Sequence, residues 1–534
     1  MKNSGSTENI SSSTSAESFA SVIEGVNRRQ LLKYSVGVGA AMLAPGIVGA
    51  RVEVDQTDIT HLSASELSVA IREKQVSCVE VMQSYLAKIH RYNPTYNAIV
   101  SLLEDDVLLQ QASEGDKALQ RGEYWGWMHG MPHAVKDLAD AKGLASSYGS
   151  PLFASTIAKE DSFHIARIRA QGAIFIGKTN TPEFGFGSHS YNEVFGTTGN
   201  AYNPALSAGG SSGGAAAALA TRMLPCADGS DMMGSLRNPA GFNNVVGFRP
   251  SQGRVPSPYE NGDVFYEQLS TDGPMGRTVE DTIRLLETMA GYDNRAPLSL
   301  RDKIPPYSEF EAREFPGLKV GWMGNYQGYL NMEPGVLELC EAALIGLTKN
   351  GAVVEPCMPD YDMAQLWETW LTLRHWSSSA LKQLYDNPQS RALLKPETIW
   401  EYEGSLGMTA ARVTAAANGR SAWYLALQSL FERFDVLALP AAQVFPFSGV
   451  IHWPKSINGK PMDTYHRWME VTIGGTLAGL PVASLPAGFD ALGRPMGIQF
   501  IGRMGQDQQV LEFALAYECV TDYLERRPVL KATR

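Results

Sequence analysis

Two serines and one lysine, residue types that can attack a carbonyl or carry a proton, lie in glycine-rich parts of this 534-residue chain. Ser211 belongs to the run G-G-S-S-G-G-A-A-A-A, Ser235 to the run G-S-D-M-M-G-S-L-R-N-P-A, and Lys136 to the segment H-A-V-K-D. A glycine-rich turn lets backbone N–H groups approach a ligand closely, because no side chain blocks them. A serine at its end can attack a carbonyl while those N–H groups stabilise the developing negative charge. The pattern predicts a site that hydrolyses amides.

These segments resemble the amidase signature family. That family carries G-G-S-S-G-G, a helix of small residues and then G-T-D-x-G-G-S-x-R-x-P-A, which correspond to 209–214 and 229–240 here. The serines are 24 positions apart and Lys136 precedes Ser211 by 75 positions, which is also the family's spacing. Further agreement comes from G-K-T-N-T-P-E at 177–183, V-V-G-F-R-P at 245–250 and L-A-G-L-P-V-A-S-L-P-A-G-F-D at 477–490.

The resemblance implies a role for each of the three residues. Ser235 corresponds to the nucleophile, Lys136 to the base, and Ser211 to a bridging serine whose peptide bond with the preceding residue is typically cis. In the implied route, neutral Lys136 takes a proton from Ser211, which takes one from Ser235 as that oxygen attacks the carbonyl. The relay returns a proton to the leaving amine, and water then hydrolyses the acyl-enzyme.

This route needs a lysine that is neutral near pH 7. The free lysine pKa of about 10.4 must fall by roughly three units, each worth about 1.4 kcal/mol. Burial among apolar neighbours such as Ala134, Val135 and Leu138 can lower a lysine pKa by this amount. Asp137 would oppose the shift, but adjacent side chains on a strand point to opposite faces. We therefore expect Asp137 to face away from Lys136.

The turn that ends at Ser235 is expected to stabilise the oxyanion through the backbone N–H groups of Met232, Met233, Gly234 and Ser235. Met233 departs from the family pattern, which has a glycine there. A positive φ at this position would cost a methionine about 1–2 kcal/mol. We expect Met233 to be tolerated, with the two methionines forming a flexible apolar rim to the substrate pocket.

Three further polar residues are expected to support the site. Asp231 and Arg237 flank the second turn and are expected to brace it through hydrogen bonds. Ser212 lies beside the bridging serine and is also the central residue of G-S-S-G-G, which fits the G-x-S-x-G elbow of α/β-hydrolases. That elbow should follow a buried strand, whereas 197–208 is polar and rich in turn residues. A Ser–His–Asp triad stays open as an alternative, and His133 is the first histidine to test.

Substrate preference is expected to depend on the least family-like region, 298–434. This region and the segment 445–468 contain several large aromatic residues, namely Trp367, Trp370, Trp376, Trp400, Trp423, Phe447, Trp453 and Tyr465. If some of them line the pocket, they favour aryl or alkyl amides over small charged ones. The resemblance implies amides and carbamates as substrate classes, with esters as a further one.

The composition narrows the range of partners. A net charge of −11 argues against nucleic acids and anionic membranes, because both require a basic surface. The motifs and the family resemblance instead imply a small-molecule amide and water as the partners. The five cysteines are scattered without C-x-x-C or metal-ligand spacing, so we predict neither a metal nor another cofactor. The sequence leaves the oligomeric state open.

The first 50 residues have the layout of an export signal. The run N-R-R-Q-L-L-K at 27–33 is followed by an uncharged stretch, 34–50, that ends in V-G-A. The paired Arg28 and Arg29 predict the twin-arginine pathway and a periplasmic or secreted bacterial protein. The apolar stretch is short and diluted by Gly and Ala, so no stable membrane span is expected. We predict an export signal at 1–50 and a single catalytic domain at 51–534.

The family that these motifs resemble also includes the A subunit of glutamyl-tRNA amidotransferase, which passes ammonia to a partner within a tRNA-binding assembly. An amidotransferase A-like subunit is thus a second alternative, although an export signal argues against that cytoplasmic role. Release of ammonia or amine by the purified chain alone would separate a hydrolase from such a subunit.

Strands and helices are predicted to alternate along the chain. Short apolar runs begin at Ala173, Lys319 and Asp435, and helical patterns cover 161–171 and 334–350. Capping-box spacing starts two further helices near the N-terminus, at Ser63 with Glu66 and at Ser77 with Glu80, the second reaching about Tyr92. This alternation predicts a three-layer α/β/α fold around a large mixed, twisted sheet, which the resemblance also implies.

Overall fold

An eight-stranded sheet forms the centre of the protein in the computed structural model, which describes residues 58–257, 265 and 269–532. The strands are, in chain order, β1 (Ile99–Val100), β2 (Pro132–Lys136), β3 (Ile174–Thr179), β4 (Tyr191–Asn192), β5 (Gly196–Thr197), β6 (Cys226–Asp231), β7 (Val246–Arg249), β8 (Thr271–Gly276), β9 (Lys319–Trp322), β10 (Val353–Pro356), β11 (Val436–Pro440), β12 (Ser456–Ile457), β13 (Lys460–Pro461), β14 (Val482–Phe489) and β15 (Pro495–Ile501). The central sheet has the order β10-β9-β11-β15-β14-β7-β8-β6. Strand β9 pairs in parallel with β10 and β11, and the other neighbours pair antiparallel, so the sheet is mixed.

The helices surround this sheet. They are α1 (Ala64–Arg72), α2 (Cys78–Tyr96), α3 (Asp105–Gln120), α4 (Phe163–Ala170), α5 (Gly213–Ala220), α6 (Arg237–Asn243), α7 (Val279–Met289), α8 (Val336–Lys349), α9 (Met363–Ser377), α10 (Lys382–Asp386), α11 (Pro388–Arg391), α12 (Pro396–Glu403), α13 (Ala410–Phe431), α14 (Ile473–Leu477) and α15 (Asp507–Val520). Helices α7, α8 and α15 pack on the sheet in one group, while α5 and α6 pack on it and on each other. The architecture is the predicted three-layer α/β/α fold.

Local sequence explains where the first helices begin. Ser63 caps α1 and Ser77 caps α2, each paired with the predicted glutamate three residues on, so both capping boxes are confirmed. Helix α2 extends four residues beyond the predicted end near Tyr92, to Tyr96, and includes Pro94. Asn97 caps it in a left-handed conformation with φ 47°. An asparagine tolerates this conformation better than most residues, so it can end a helix as glycine often does.

The predicted apolar runs are confirmed as strands. The runs starting at Ala173, Lys319 and Asp435 form β3, β9 and β11, and the helical patterns at 161–171 and 334–350 contain α4 and α8. Their interiors are buried, which is the physical reason that short apolar runs without a polar face form central strands.

A second, three-stranded sheet brings the lysine of the site to the main sheet. It has the order β1-β3-β2, and β2 ends at Lys136, beside β6 of the central sheet. Strand β6 leads directly into the turn that carries Ser235, and Ser211 lies two residues before α5. The three predicted catalytic residues therefore come from three separate elements that meet at one place.

All described residues belong to one compact unit, 51–534. Within them, no helix combines the length and apolar character needed to cross a membrane. The export signal predicted at 1–50 lies outside the described residues and stays a prediction.

Candidate active site

The side chain of Lys136 is buried among serine oxygens. Its Nζ donates to Ser211 Oγ at 2.8 Å, to Ser212 Oγ at 2.8 Å and to Ser230 Oγ at 2.9 Å, and it lies 3.2 Å from the Ser230 carbonyl oxygen. Only 1% of the lysine is exposed. Ser230 was not predicted as a site residue, although it belongs to the G-S-D segment that leads into the second turn.

Burial sets the protonation of this lysine. Removal from water lowers the pKa of Lys136 to about 7, against the opposing effect of the Asp272, Asp228 and Asp231 carboxylates. As expected, Asp137 faces elsewhere: it accepts hydrogen bonds from the N–H and hydroxyl of Ser147. The neutral form of Lys136 is therefore accessible near pH 7.

A buried carboxylate holds the end of β2 in position. Asp228 on β6 accepts from the Lys136 backbone N–H at 3.2 Å and from His133 Nε2 at 3.0 Å. Burial alone would raise the pKa of Asp228, but the hydrogen bond from His133 and the nearby His164, whose Nε2 lies 3.9 Å from Oδ2, outweigh it and lower that pKa. The sequence pattern around Asp228 carried no recognisable signal for this role.

The structure argues against the Ser–His–Asp alternative. The Ser212 Oγ lies 2.8 Å from Lys136 Nζ and donates to the Ser230 carbonyl at 3.4 Å. In the described part of the chain no histidine hydrogen-bonds to Ser212, and His133 does not line the cavity that holds the serines. The described stretch 198–211 contains no strand that could lead into Ser212, so the elbow geometry is missing.

The two serine turns are joined to each other. The Gly210–Ser211 peptide bond is cis, as the resemblance implies. The Ser212 N–H donates to the Ser235 carbonyl at 3.3 Å, and both Ser211 and Ser235 line the same cavity. Among the described residues no hydrogen bond joins Ser235 Oγ to Ser211 Oγ. Such contacts are often long in free enzymes and shorten when substrate binds.

The geometry of the turn before Ser235 leaves fewer free N–H groups for an oxyanion than the sequence predicted. The Gly234 N–H donates to Asp231 Oδ1 at 2.9 Å, so this donor is already engaged and the prediction for it was wrong. Within the described residues, the N–H groups of Met232, Met233 and Ser235 have no partner and are the remaining candidates. The positive φ of this turn, 84°, falls on Gly234 and not on Met233. The methionine is therefore accommodated without strain.

A buried ion-pair cluster fixes the shape of this turn. Asp231 accepts from the Leu236 N–H and from Arg237 Nε and Nη2, each of the latter at 2.9 Å. Arg249 Nη1 lies 3.3 Å from Asp231 Oδ1 and also donates to the Asp231 carbonyl. Arg237 Nη1 donates to Gln499 Oε1 at 2.9 Å, and this hydrogen bond connects the turn to β15. No role for Arg249 was predicted from the sequence. Its position in the family-like segment V-V-G-F-R-P could have indicated one.

The serines open into a cavity of about 290 Å³. None of the eight aromatic residues named from the sequence lines it, so that expectation was wrong. Other apolar side chains contribute to a wall that is also lined by many serines and other polar residues; the apolar ones are Leu138, Phe184, Phe186, Met232, Met233, Val255, Leu381 and Met469. The region 298–434 reaches the cavity through Ser299 and through residues of α9 and the turn after it, which are Arg374, Ser377, Ser378, Ala380 and Leu381.

Among the residues that the structure describes, no group of three or more His, Cys, Asp or Glu side chains is arranged to hold a metal ion.

The fold and this arrangement of lysine and serines define an amidase-type hydrolase. The sequence profile of the amidase family matches residues 80–511. The chain belongs to the amidase signature family.

The chain is similar to two curated relatives and to one solved structure. The chain is 31% identical to an acylamidase of Rhodococcus erythropolis, over 89% of this chain and 98% of that protein. It is 33% identical to the A subunit of glutamyl-tRNA(Gln) amidotransferase from Thermosynechococcus vestitus, over 87% of this chain and 99% of that protein. Its structure matches that of a bacterial aryl acylamidase with a TM-score of 0.81 and 29% identity, covering 87% and 98% of the two chains.

Proposed function

We propose that this amidase cleaves the C–N bond of carboxylic amides through an acyl-enzyme on Ser235, with Ser211 and Lys136 as the proton relay. The observation that carries the proposal is the 2.8 Å contact between the buried Lys136 Nζ and Ser211 Oγ, beside the cavity that Ser235 lines. A lysine with a pKa of about 7 can accept a proton at neutral pH and return it in the next step.

In the first half-reaction Ser235 Oγ attacks the carbonyl carbon. Its proton passes to Ser211 Oγ while the Ser211 proton passes to neutral Lys136. The carbonyl oxygen becomes an oxyanion, which the N–H groups of Met232, Met233 and Ser235 can stabilise. As the tetrahedral intermediate collapses, Lys136 returns the proton through Ser211 to the leaving nitrogen, and the amine departs.

The second half-reaction repeats these transfers with water. Water attacks the ester carbonyl, and its proton passes through Ser211 to Lys136. Collapse of the second tetrahedral intermediate breaks the ester bond, and the proton returns from Lys136 through Ser211 to Ser235 Oγ. The products are a free carboxylic acid and the regenerated enzyme.

An apolar or aryl amide is the substrate class that we propose, with carbamates and esters as further substrates. The apolar wall contributed by residues such as Leu138, Phe184 and Met469 supports this choice, because it would bind hydrocarbon groups on either side of the amide. The names of two relatives, an acylamidase and an aryl acylamidase, point in the same direction.

An amidotransferase component is the second candidate. It is favoured by the 33% identity to the A subunit of glutamyl-tRNA(Gln) amidotransferase. Such a component would deliver ammonia within an assembly, whereas a hydrolase releases its product when it acts alone.

Purified protein assayed with anilides, primary amides and carbamates tests both candidates. We expect release of aniline from an anilide by the isolated chain, and no release by a Ser235→Ala variant. If the isolated chain releases neither aniline nor ammonia from any of these substrates, the amidotransferase candidate is favoured, because such a component acts only within its assembly. Turnover that survives in Ser235→Ala would overturn the acyl-enzyme proposal.

A further inference from the structure

We propose that Arg374 and His466 form a polar subsite in the cavity wall that binds an uncharged hydrogen-bonding group on the substrate, such as a second carboxamide. The inference rests on the proposed function, because it assigns the substrate substituent that this same cavity accepts. Both side chains line the cavity that Ser235 and Ser211 share.

Arg374 lies next to the turn of the proposed nucleophile. Its Nη1 donates to Met232 Sδ at 3.2 Å, three residues before Ser235, and only 4% of the residue is exposed. Its Nε donates to Glu401, and its Nη2 donates to Tyr465 Oη at 2.8 Å. A guanidinium has five N–H bonds, and these partners use three of them. The terminal nitrogens therefore retain two N–H bonds that an acceptor on a ligand can use.

The neighbouring charges exclude an anionic ligand. Burial raises the pKa of Glu401, but the Arg374 charge and the nearby His375, whose Nδ1 lies 3.4 Å from Oε2, outweigh it and hold that pKa at about 2. The pair Arg374–Glu401 is thus ionised and has no net charge. A carboxylate on the substrate would add an uncompensated negative charge in a buried place, which is unfavourable. A neutral carbonyl can accept from the arginine without this penalty.

His466 is the second polar group and has no partner in the described structure. Only 1% of the residue is exposed, and neither Nδ1 nor Nε2 makes a hydrogen bond. Burial lowers its pKa well below the usual value, so the ring is neutral and offers one donor and one acceptor. Buried polar groups are nearly always hydrogen-bonded, and a ligand in the cavity can supply the missing partner.

The surroundings of His466 make a purely structural role a poor explanation. Aromatic rings enclose it, with centroids 5.2 Å away for Trp367 and 4.6 Å away for Tyr465. A phenylalanine would pack there without leaving polar atoms unpaired. The nearby His375 differs, because its Nδ1 bonds to the Glu401 carbonyl at 3.0 Å. His164 also lines the cavity without a hydrogen bond, but its Nδ1 lies 3.4 Å from the Asp272 carboxylate, whereas no ion pair among the described residues involves His466.

A binding experiment in the full-length Ser235→Ala protein tests the subsite without requiring hydrolysis. The probes are acetanilide and acetanilides that carry a carboxamide or a carboxylate at the meta or para ring position, measured by calorimetry. We expect one carboxamide isomer to bind about tenfold more tightly than acetanilide, and more tightly than its carboxylate counterpart. Equal affinities for all probes, or tightest binding of a carboxylate, would overturn the proposal.

Substitutions of Arg374 and His466 test whether these two side chains cause the tighter binding of the carboxamide probe. Adding His466→Phe removes both ring nitrogens, and Arg374→Lys keeps the charge opposite Glu401 while removing the second terminal nitrogen. Each should reduce the affinity ratio of carboxamide to acetanilide to near one. The matched control His452→Phe, outside the cavity, should keep the ratio. If the affinity ratio of carboxamide to acetanilide stays unchanged in both cavity variants, the subsite is refuted. If His466→Phe does not fold, Arg374→Lys alone provides the test.

Hydrolysis by the wild-type protein is scored separately. If wild type releases aniline but the probes bind equally, the subsite is wrong and the proposed function stands. If the probes are discriminated through His466 but no amide is cleaved, the proposed function is wrong and the subsite stands.

Discussion

The Nζ of Lys136 lies 2.8 Å from the Oγ of Ser211, and both side chains are almost fully buried. This contact joins the end of a strand to a glycine turn 75 positions further along the chain. Because the lysine is surrounded by neutral serine oxygens and not by a directly bound carboxylate, burial lowers its pKa enough to make it a base.

Removal of any of the proposed relay residues should reduce amide hydrolysis severely. In Ser235→Ala we expect kcat to fall about 10⁶-fold, because the nucleophile is lost. In Lys136→Ala we expect about a 10²–10⁴-fold fall, because general-base assistance is lost. Ser211→Ala should be severe but leave measurable turnover, since water can partly replace the proton bridge. Steady-state kinetics on an anilide measure these losses.

His133→Gln is the control for this series. His133 contacts Asp228 and not the serines, so this variant should be far less impaired than Lys136→Ala. Near-wild-type turnover in Lys136→Ala together with loss of turnover in His133→Gln would replace the lysine base by a histidine base.

Activity should rise with pH through neutrality. The working form of Lys136 is the neutral one, and its pKa of about 7 places the midpoint of the rise in kcat/KM near pH 7. A profile measured from pH 5 to pH 10 checks this. A rise centred near pH 10 would mean that the lysine keeps its ordinary pKa and is not desolvated in solution.

The same pKa shift should affect stability. Between about pH 7 and pH 10 the unfolded chain carries a proton on Lys136 that the folded protein lacks, so the free energy of unfolding should increase with pH in this window. Lys136→Met removes this group and should reduce that slope. Urea denaturation of both proteins at pH 7 and pH 9.5 measures the difference. Identical slopes would contradict the prediction.

Asp231→Asn should destabilise the fold strongly. It leaves the buried guanidinium groups of Arg237 and Arg249 without their carboxylate, a change that typically costs about 3–5 kcal/mol. The control is Asp386→Asn, which breaks the exposed pair with Lys382 and should change stability far less, because solvent screens that pair. Urea denaturation at pH 7 compares them, and similar losses in both variants would argue against the brace.

The export signal predicted at 1–50 should determine where the active enzyme is found in cells. Replacing Arg28 and Arg29 by lysine should leave active enzyme in the cytoplasm, because the change alters the transport signal and not the catalytic domain. Fractionation of cells expressing each form measures where the activity is. Equal periplasmic activity from the two forms would rule out the twin-arginine route, and activity retained in the membrane pellet would indicate an uncleaved anchor.

The sequence alone determined the features that depend on local pattern. The capping boxes at Ser63 and Ser77, the apolar strands and the glycine turns were predictable, because they depend on neighbours within a few positions. The order of the motifs also indicated the family and three candidate catalytic residues.

Only the tertiary structure decided the features that depend on distant neighbours. Arg249 and Asp228 contribute through contacts with groups far along the chain. The cavity wall includes Phe184 and Met469 but none of the tryptophans named from the sequence. The engagement of the Gly234 N–H by Asp231 depends on how one turn closes. Sequence spacing does not specify which face of a helix, or which N–H of a turn, meets a cavity, because packing between elements sets that orientation.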